Sequence, residues 1–494
     1  MNEISQVLKE GRVASASPQG VKIYDRSLHN HGEVHLLMLK VDSKKFIMAV
    51  GVGELYDELD GEIHDDYKLC PLTHENRLTL AKYFTHLSPK AFGKKSTTFG
   101  LGDRLGLAGP GHLATLRGRP VSPILAQQSI RELALTGRTY QDVLDAASYA
   151  AFQEGYRDGY GADGDHLKEE SDIQMSIDLG FTMLTLDASE KIPSDIQDLD
   201  DQELLVRYEL VPEEKRKGYE ERYLDKSIQV GEEKVVFDRI EFMKCVLIYG
   251  EAIPFMVYIY EKYIQPVDRA IDFEISIDET VTPTSPEAHY FVAAELDRQQ
   301  VDIFSMAPRF CGEFQKGIDY IGDIQQFEHE LRIHAAIADH FGYKLSIHSG
   351  SDKLSVFPII AKHTKGRFHV KTAGTNWLEA VRTVAQENPS LYRRMHAYAL
   401  EYFEEAKAYY HVTTNIARIK PLEQVTDAQL PEYMEEDNAR QLLHITYGIL
   451  LKAEDETGKA IFSDEFFDTL EKKESEYEQS LKSHIGKHLD LLNV

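Results

Sequence analysis

Residues 271–279 read Ile-Asp-Phe-Glu-Ile-Ser-Ile-Asp-Glu, an alternation of period two that puts Asp272, Glu274, Ser276 and Asp278 on one face of a strand. A carboxylate on a covered strand face costs several kcal/mol unless it is paired, so Glu274 is expected to serve a site rather than packing. Polar side chains close the other strand-like segments too. Asp163, Asp165 and His166 follow 159–162, Asp187 follows 182–186, and Arg309 and Glu313 follow 302–306. His348 ends 344–348 and is followed by Ser351, Asp352 and Lys353; Lys371 lies in 367–372, with Thr375 and Asn376 beyond. Asp103 follows 97–101, and Gln127 and Gln128 follow 121–126. Histidines mixed with carboxylates suit a mid-series divalent ion such as Zn²⁺, Mn²⁺ or Ni²⁺ better than Mg²⁺ or Ca²⁺. Arg309, Lys353 and Lys371 are cations that could hold an anionic group such as a carboxylate.

The bland readings stand beside these. His348 also fits a hydrogen-bonded core histidine, His166 a surface turn, and Glu313 a solvated loop. His329 and His334 are five apart on one helix and do not share a face, so they are set aside as ligands. The run Gly100-Leu-Gly102-Asp-Arg-Leu-Gly106 is one residue too long for a dinucleotide fingerprint, and no Gly-Lys-Ser/Thr closes a phosphate loop. No Gly-x-Ser-x-Gly occurs, so a nucleophile elbow is absent.

The elements that must position these residues follow a rhythm. Asp323 and Gln326 open a helix in the manner of a capping box, and apolar residues at 324, 327, 331, 335 and 338 follow at helical spacing up to Gly342. Ser285-Pro286 marks another helix start, and Thr375 is expected to cap a helix over 376–385. Strands alternate with helices, and eight strands fall between 97 and 372. That predicts an α/β TIM (β/α)8 barrel, with an open doubly wound sheet as the competing architecture. Residues 1–90 read as a β-rich decoration with a helix from Thr73, 91–385 as the barrel with an acidic helical insertion over 194–263, and 386–494 as a helical C-terminal extension.

Composition narrows the partners. Of 494 residues, 55 are Lys or Arg and 82 Asp or Glu, a net charge of −27 that repels nucleic acid and anionic membranes. No apolar run is long enough for a membrane span, and Met1–Gln6 lack the basic and apolar regions of a leader. Cys70, Cys245 and Cys311 form no CxxC, which fits a reducing cytoplasm. The expected partner is a small molecule. The tail and the N-terminal strands are candidates for a lid or a subunit interface, with a homo-oligomer among the expectations.

The stretches GYGADGDHLK (159–168), DFEISIDET (272–280), APRFCGEFQKGIDYIGD (307–323), KLSIHSGSDKLSVFP (344–358) and FHVKTAGTNWLEA (368–380) resemble the bacterial tagaturonate epimerase family. The resemblance spans most of the chain. It implies a metal-dependent TIM-barrel isomerase of hexuronate catabolism that interconverts tagaturonate and fructuronate, with some members acting on the neutral ketoses tagatose and fructose. It assigns an acid–base pair to Asp165 and Glu274, and metal ligation to His166, Glu313 and His348. Asp103, Arg309, Asp352, Lys353, Lys371 and Asn376 are the expected substrate contacts.

The substrate pair differs at a carbinol carbon β to the ketone. Its C–H is not acidified by the carbonyl, so simple enolisation cannot invert it, whereas retro-aldol cleavage and re-addition can; proton transfer at that carbon is the other route. A divalent cation would act as a Lewis acid toward the enediolate, and two acid–base groups would serve the two epimers. The alternatives are a metal-dependent aldose–ketose isomerase or aldolase on a similar barrel, and a non-catalytic sugar-binding protein.

Overall fold

The computed structural model describes residues 1–494. Eight parallel strands close into a barrel: β1 (Thr98–Leu101), β2 (Ser122–Ser129), β3 (Gly161–Leu167), β4 (Met183–Asp187), β5 (Asp272–Ile277), β6 (Ser305–Pro308), β7 (Lys344–Ile347) and β8 (Phe368–Thr372). They lie in sequence order around the ring, which excludes the open sheet. Helices intervene, and several start where local chemistry dictates. The Ser285 side chain accepts from Ala288 N–H, with Pro286 at the first helical position of Pro286–Arg298. Asp323 caps Ile324–Phe341, which ends on left-handed Gly342. Gly374–Glu387 departs from expectation: it begins two residues early, and Thr375 is buried inside it rather than capping it.

The chain forms two compact units. The first comprises Met1–Lys90, Leu101–Ala162 and Ala373–Lys487. Its N-terminal part is a six-stranded sheet on which helix Asn2–Lys9 lays Ile4 and Leu8 against Leu37, Leu39, Met48 and Val50. Its C-terminal part is helical and packs around Trp377, whose indole N–H donates to Leu443 O at 2.8 Å and whose ring stacks on Phe466.

The second unit comprises Ala91–Gly100, Asp163–Thr372 and His488–Val494. It contains the insertion, which is helical as expected but also carries an antiparallel hairpin, Ser227–Val230 with Glu233–Val236. No single helix of the chain is long and apolar enough to cross a membrane.

Candidate active site

Register and one irregularity build the site. Thr185 of β4 pairs with Glu274 of β5, and Glu274 pairs with Ser305 of β6, so three polar side chains share one row inside the barrel. Between β3 and β4 the register slips: Leu184 faces Gly164 but Leu186 faces Leu167, so β3 carries an extra residue there. His166 takes up the slack with a left-handed φ of 54°. In a regular strand neighbours point to opposite faces; a bulge re-aims them, and this one brings both Asp165 and His166 to the site. The strand expected over 159–162 runs on to Leu167, so Asp163, Asp165 and His166 lie within it.

The side chains then meet. The His166 and His348 ring centroids are 4.8 Å apart. His166 Nδ1 lies 2.8 Å from Asp165 Oδ1, and its Nε2 lies 4.0 Å from Asp278 Oδ1. His348 places Nδ1 3.0 Å from Asp278 Oδ1 and Nε2 2.8 Å from Glu274 Oε1. Lys371 Nζ lies 2.8 Å from Asp163 Oδ2, 2.7 Å from Asp165 Oδ1 and 2.9 Å from Glu274 Oε1, and it also contacts the Thr185 hydroxyl. Thr185 Oγ1 is 3.0 Å from Asp163 Oδ1 and 3.1 Å from Glu274 Oε1, while the Ser305 hydroxyl donates to Glu274 Oε2.

The electrostatics follow from packing charges in a dry interior. Burial disfavours every charge here, and the partners decide who keeps one. Burial pushes Asp163 up to about 6 against the pull of Lys371. Asp165 and Glu274 are buried too, yet Lys371 and the histidines hold both well below the usual carboxylate range. His348 is raised to about 10: burial opposes its charge, but Asp278 and Glu274 on its two nitrogens prevail. The same contest raises His166, with Asp165 as the main favourable partner.

A nitrogen from each of His166 and His348 and an oxygen of Asp278 lie within 4.8 Å of one another. This mixed N/O set fits a divalent cation, and each imidazole has a carboxylate on another nitrogen, as metal-binding histidines usually do. Glu313, expected as the third ligand, is not in this group; it is half-buried in a loop and pairs through its backbone with Ile321.

The expected substrate contacts are mostly engaged elsewhere. Lys353 is fully buried and donates to the carbonyls of Gln315, Ile318 and Ser351. Asp352 donates its backbone N–H to His488 Nε2 at 3.0 Å. In the first unit, Asp103 accepts from the backbone of Leu105, Gly106 and Ala108, and Asn376 binds His112 and Gly102 O. Arg309 is the exception. Half-buried, it donates to Thr280 O and meets no carboxylate. Asp272 faces away from the mouth, at the start of β5, and accepts from Phe92 and Gly93 N–H.

Sequence reasoning passed over Thr185 and Ser305, and it gave Asp278 no ligand role. The signal for Thr185 was present, since Met183-Leu-Thr-Leu-Asp187 alternates as β5 does.

Comparison with known proteins adds to this geometry. The model of a family described as tagaturonate epimerase matches residues 24–492. The tagaturonate/fructuronate epimerase of Thermotoga maritima is 39% identical over 479 residues, 96% of this chain and 97% of its own. The native crystal structure of fructuronate-tagaturonate epimerase UxaE from Cohnella laeviribosi is 61% identical, with a TM-score of 0.96 over 100% of both chains. A one-glycerol complex of UxaE from the same organism is 64% identical, with a TM-score of 0.95 over 96% of each chain.

Proposed function

The chain belongs to the tagaturonate epimerase family, and from that membership we propose how its own residues carry out the interconversion of tagaturonate and fructuronate. The observation that carries the reading is the convergence of His166, His348 and Asp278, with Asp165 and Glu274 against the two imidazoles.

His166, His348 and Asp278 would hold a divalent cation, Zn²⁺, Mn²⁺ or Ni²⁺ by donor type. When bound, it would supply Lewis-acid stabilisation of developing oxyanion charge. Asp165 and Glu274 then divide their work by exposure. The Asp165 side chain is 9% exposed and the Glu274 side chain 0%. Asp165, held ionised by Lys371, is the base that takes the proton of the substrate hydroxyl. The C–C bond between that carbinol carbon and its neighbour next to the ketone breaks, its electron pair forms the enediolate, and the carbinol becomes an aldehyde. The aldehyde turns its other face, the bond re-forms, and the proton returns to the new hydroxyl. Glu274, with no surface from which to meet a substrate, orients His348. Arg309 anchors the substrate carboxylate. The same chemistry would serve the 4-epimerisation of tagatose and fructose, with Arg309 unused. Three buried free cysteines support a cytoplasmic setting.

The test is turnover of tagaturonate in D₂O, followed by NMR. Fructuronate should form with protium retained at the inverted carbon. Deuterium at that carbon would exclude retro-aldol cleavage and favour direct proton transfer. Formation of an aldose, or of two free fragments, would instead favour an aldose–ketose isomerase or an aldolase.

A further inference from the structure

We propose that Lys371 is a positioning residue: its ammonium, gripped by Asp163, Asp165 and Glu274, holds in place the two carboxylates that orient His166 and His348. The inference rests on the cation reading given above and goes beyond it, because Lys371 hydrogen-bonds to Asp163, Asp165, Glu274 and Thr185 and to neither imidazole.

Geometry carries the argument. Lys371 stands on β8, and the ring order places β4 across the barrel from it. Its stem crosses the interior, and its head reaches the Thr185 hydroxyl on β4 and carboxylates on β3 and β5. An ammonium has three N–H donors, and three carboxylates stand at 2.7–2.9 Å. The side chain is 4% exposed, so it is placed to organise groups within the protein rather than to receive a ligand.

Without it, three carboxylates would face one another in a medium of low dielectric. Like charges at such distances repel one another and move apart. That movement would draw Asp165 from His166 Nδ1 and Glu274 from His348 Nε2. Loss of such outer partners typically costs about 10–100-fold in metal affinity.

The full-length protein, stripped with chelator, is titrated with Co²⁺ and read by visible absorption. Far-UV circular dichroism checks the fold. Lys371→Met should stay folded and bind Co²⁺ about 10–100-fold more weakly than wild type. Lys371→Ala should regain affinity with added propylammonium but not with propanol, which fills the space without the charge. Asp163→Asn combined with Lys371→Met removes one charge of each sign and tests the case where Lys371→Met alone fails to fold. Wild-type Co²⁺ affinity in a folded Lys371→Met or double variant would overturn the proposal. So would a failure of all three variants to fold, which would make Lys371 a stability residue. A wild-type protein that binds no Co²⁺ would overturn the cation reading itself, and this separate arm tells the two failures apart.

Discussion

His166 and His348 approach with ring centroids 4.8 Å apart and planes inclined by 58°, although they come from β3 and the end of β7, which are not neighbours in the barrel. Asp278 Oδ1 lies 3.0 Å from one ring and 4.0 Å from the other. The choice between Asp278 and Glu313 as third donor is therefore open to a direct test. Asp278→Asn should weaken Co²⁺ binding by about 10–100-fold, and Glu313→Gln should leave it unchanged. Titration of both variants reads the answer, and the opposite ranking would restore Glu313.

Asp165 and Glu274 should fail differently. Asp165→Asn removes the base, so kcat should fall by about 10²–10⁴-fold and extra metal should not recover it. Glu274→Gln should lose metal affinity first, and saturating metal should recover much of the rate. Steady-state kinetics across a metal titration separates them. Recovery of Asp165→Asn by metal would move it to a purely orienting role.

Arg309→Met should raise KM for tagaturonate by about 10–100-fold, the loss expected for one charge-assisted hydrogen bond. KM for tagatose should not move, since the neutral ketose has no carboxylate to lose. An equal effect on both would place Arg309 in the architecture of the Thr280 loop instead.

His289 and His334 form a buried pair with Nδ1 atoms 2.9 Å apart, and His289 Nε2 faces the Tyr343 hydroxyl at 2.6 Å. Burial lowers His334 to about 3 and His289 well below its ordinary value. Both stay neutral in the folded chain, whereas in the unfolded chain they take up protons below about pH 6.5. Stability is thus intact above that value and falls as pH drops through 6.5 toward 3, by on the order of 1–2 kcal/mol per histidine at about pH 5. Urea midpoints at about pH 7.5 and pH 5 should show a shallower decline for His334→Gln than for wild type; identical declines would remove this pair from the account.

Trp377 is the sole tryptophan and is fully buried in the helical core of the first unit. Trp377→Ala removes a large side chain and leaves Leu443 O without its donor, so a loss of about 3–5 kcal/mol is expected by urea denaturation. A loss under about 1 kcal/mol would mean that the surrounding helices collapse into the gap.

Much of the architecture is local and so was legible in the chain itself. The period-two run at 271–279, Ser285-Pro286 and the Asp323 helix start are written in consecutive residues, and a polar residue in such a strand announces which face it takes. Periodicity stops at the face, however, and says nothing of what stands opposite. The bulge that turns both Asp165 and His166 toward the site has no signature in Gly-Asp-His, because it depends on how β3 meets β4. Thr375 reads as a cap from its type alone, but the helix around it starts earlier and buries it. Lys353 and Lys371 look alike as candidate anion binders, yet one is satisfied by three carbonyls and the other by three carboxylates. Sequence by itself determined the alternation of eight strands with helices, the polar face of β5 and the likeness to a family. Only barrel closure and register decided which charges meet, because a charge in a dry interior is governed by neighbours that lie far away along the chain.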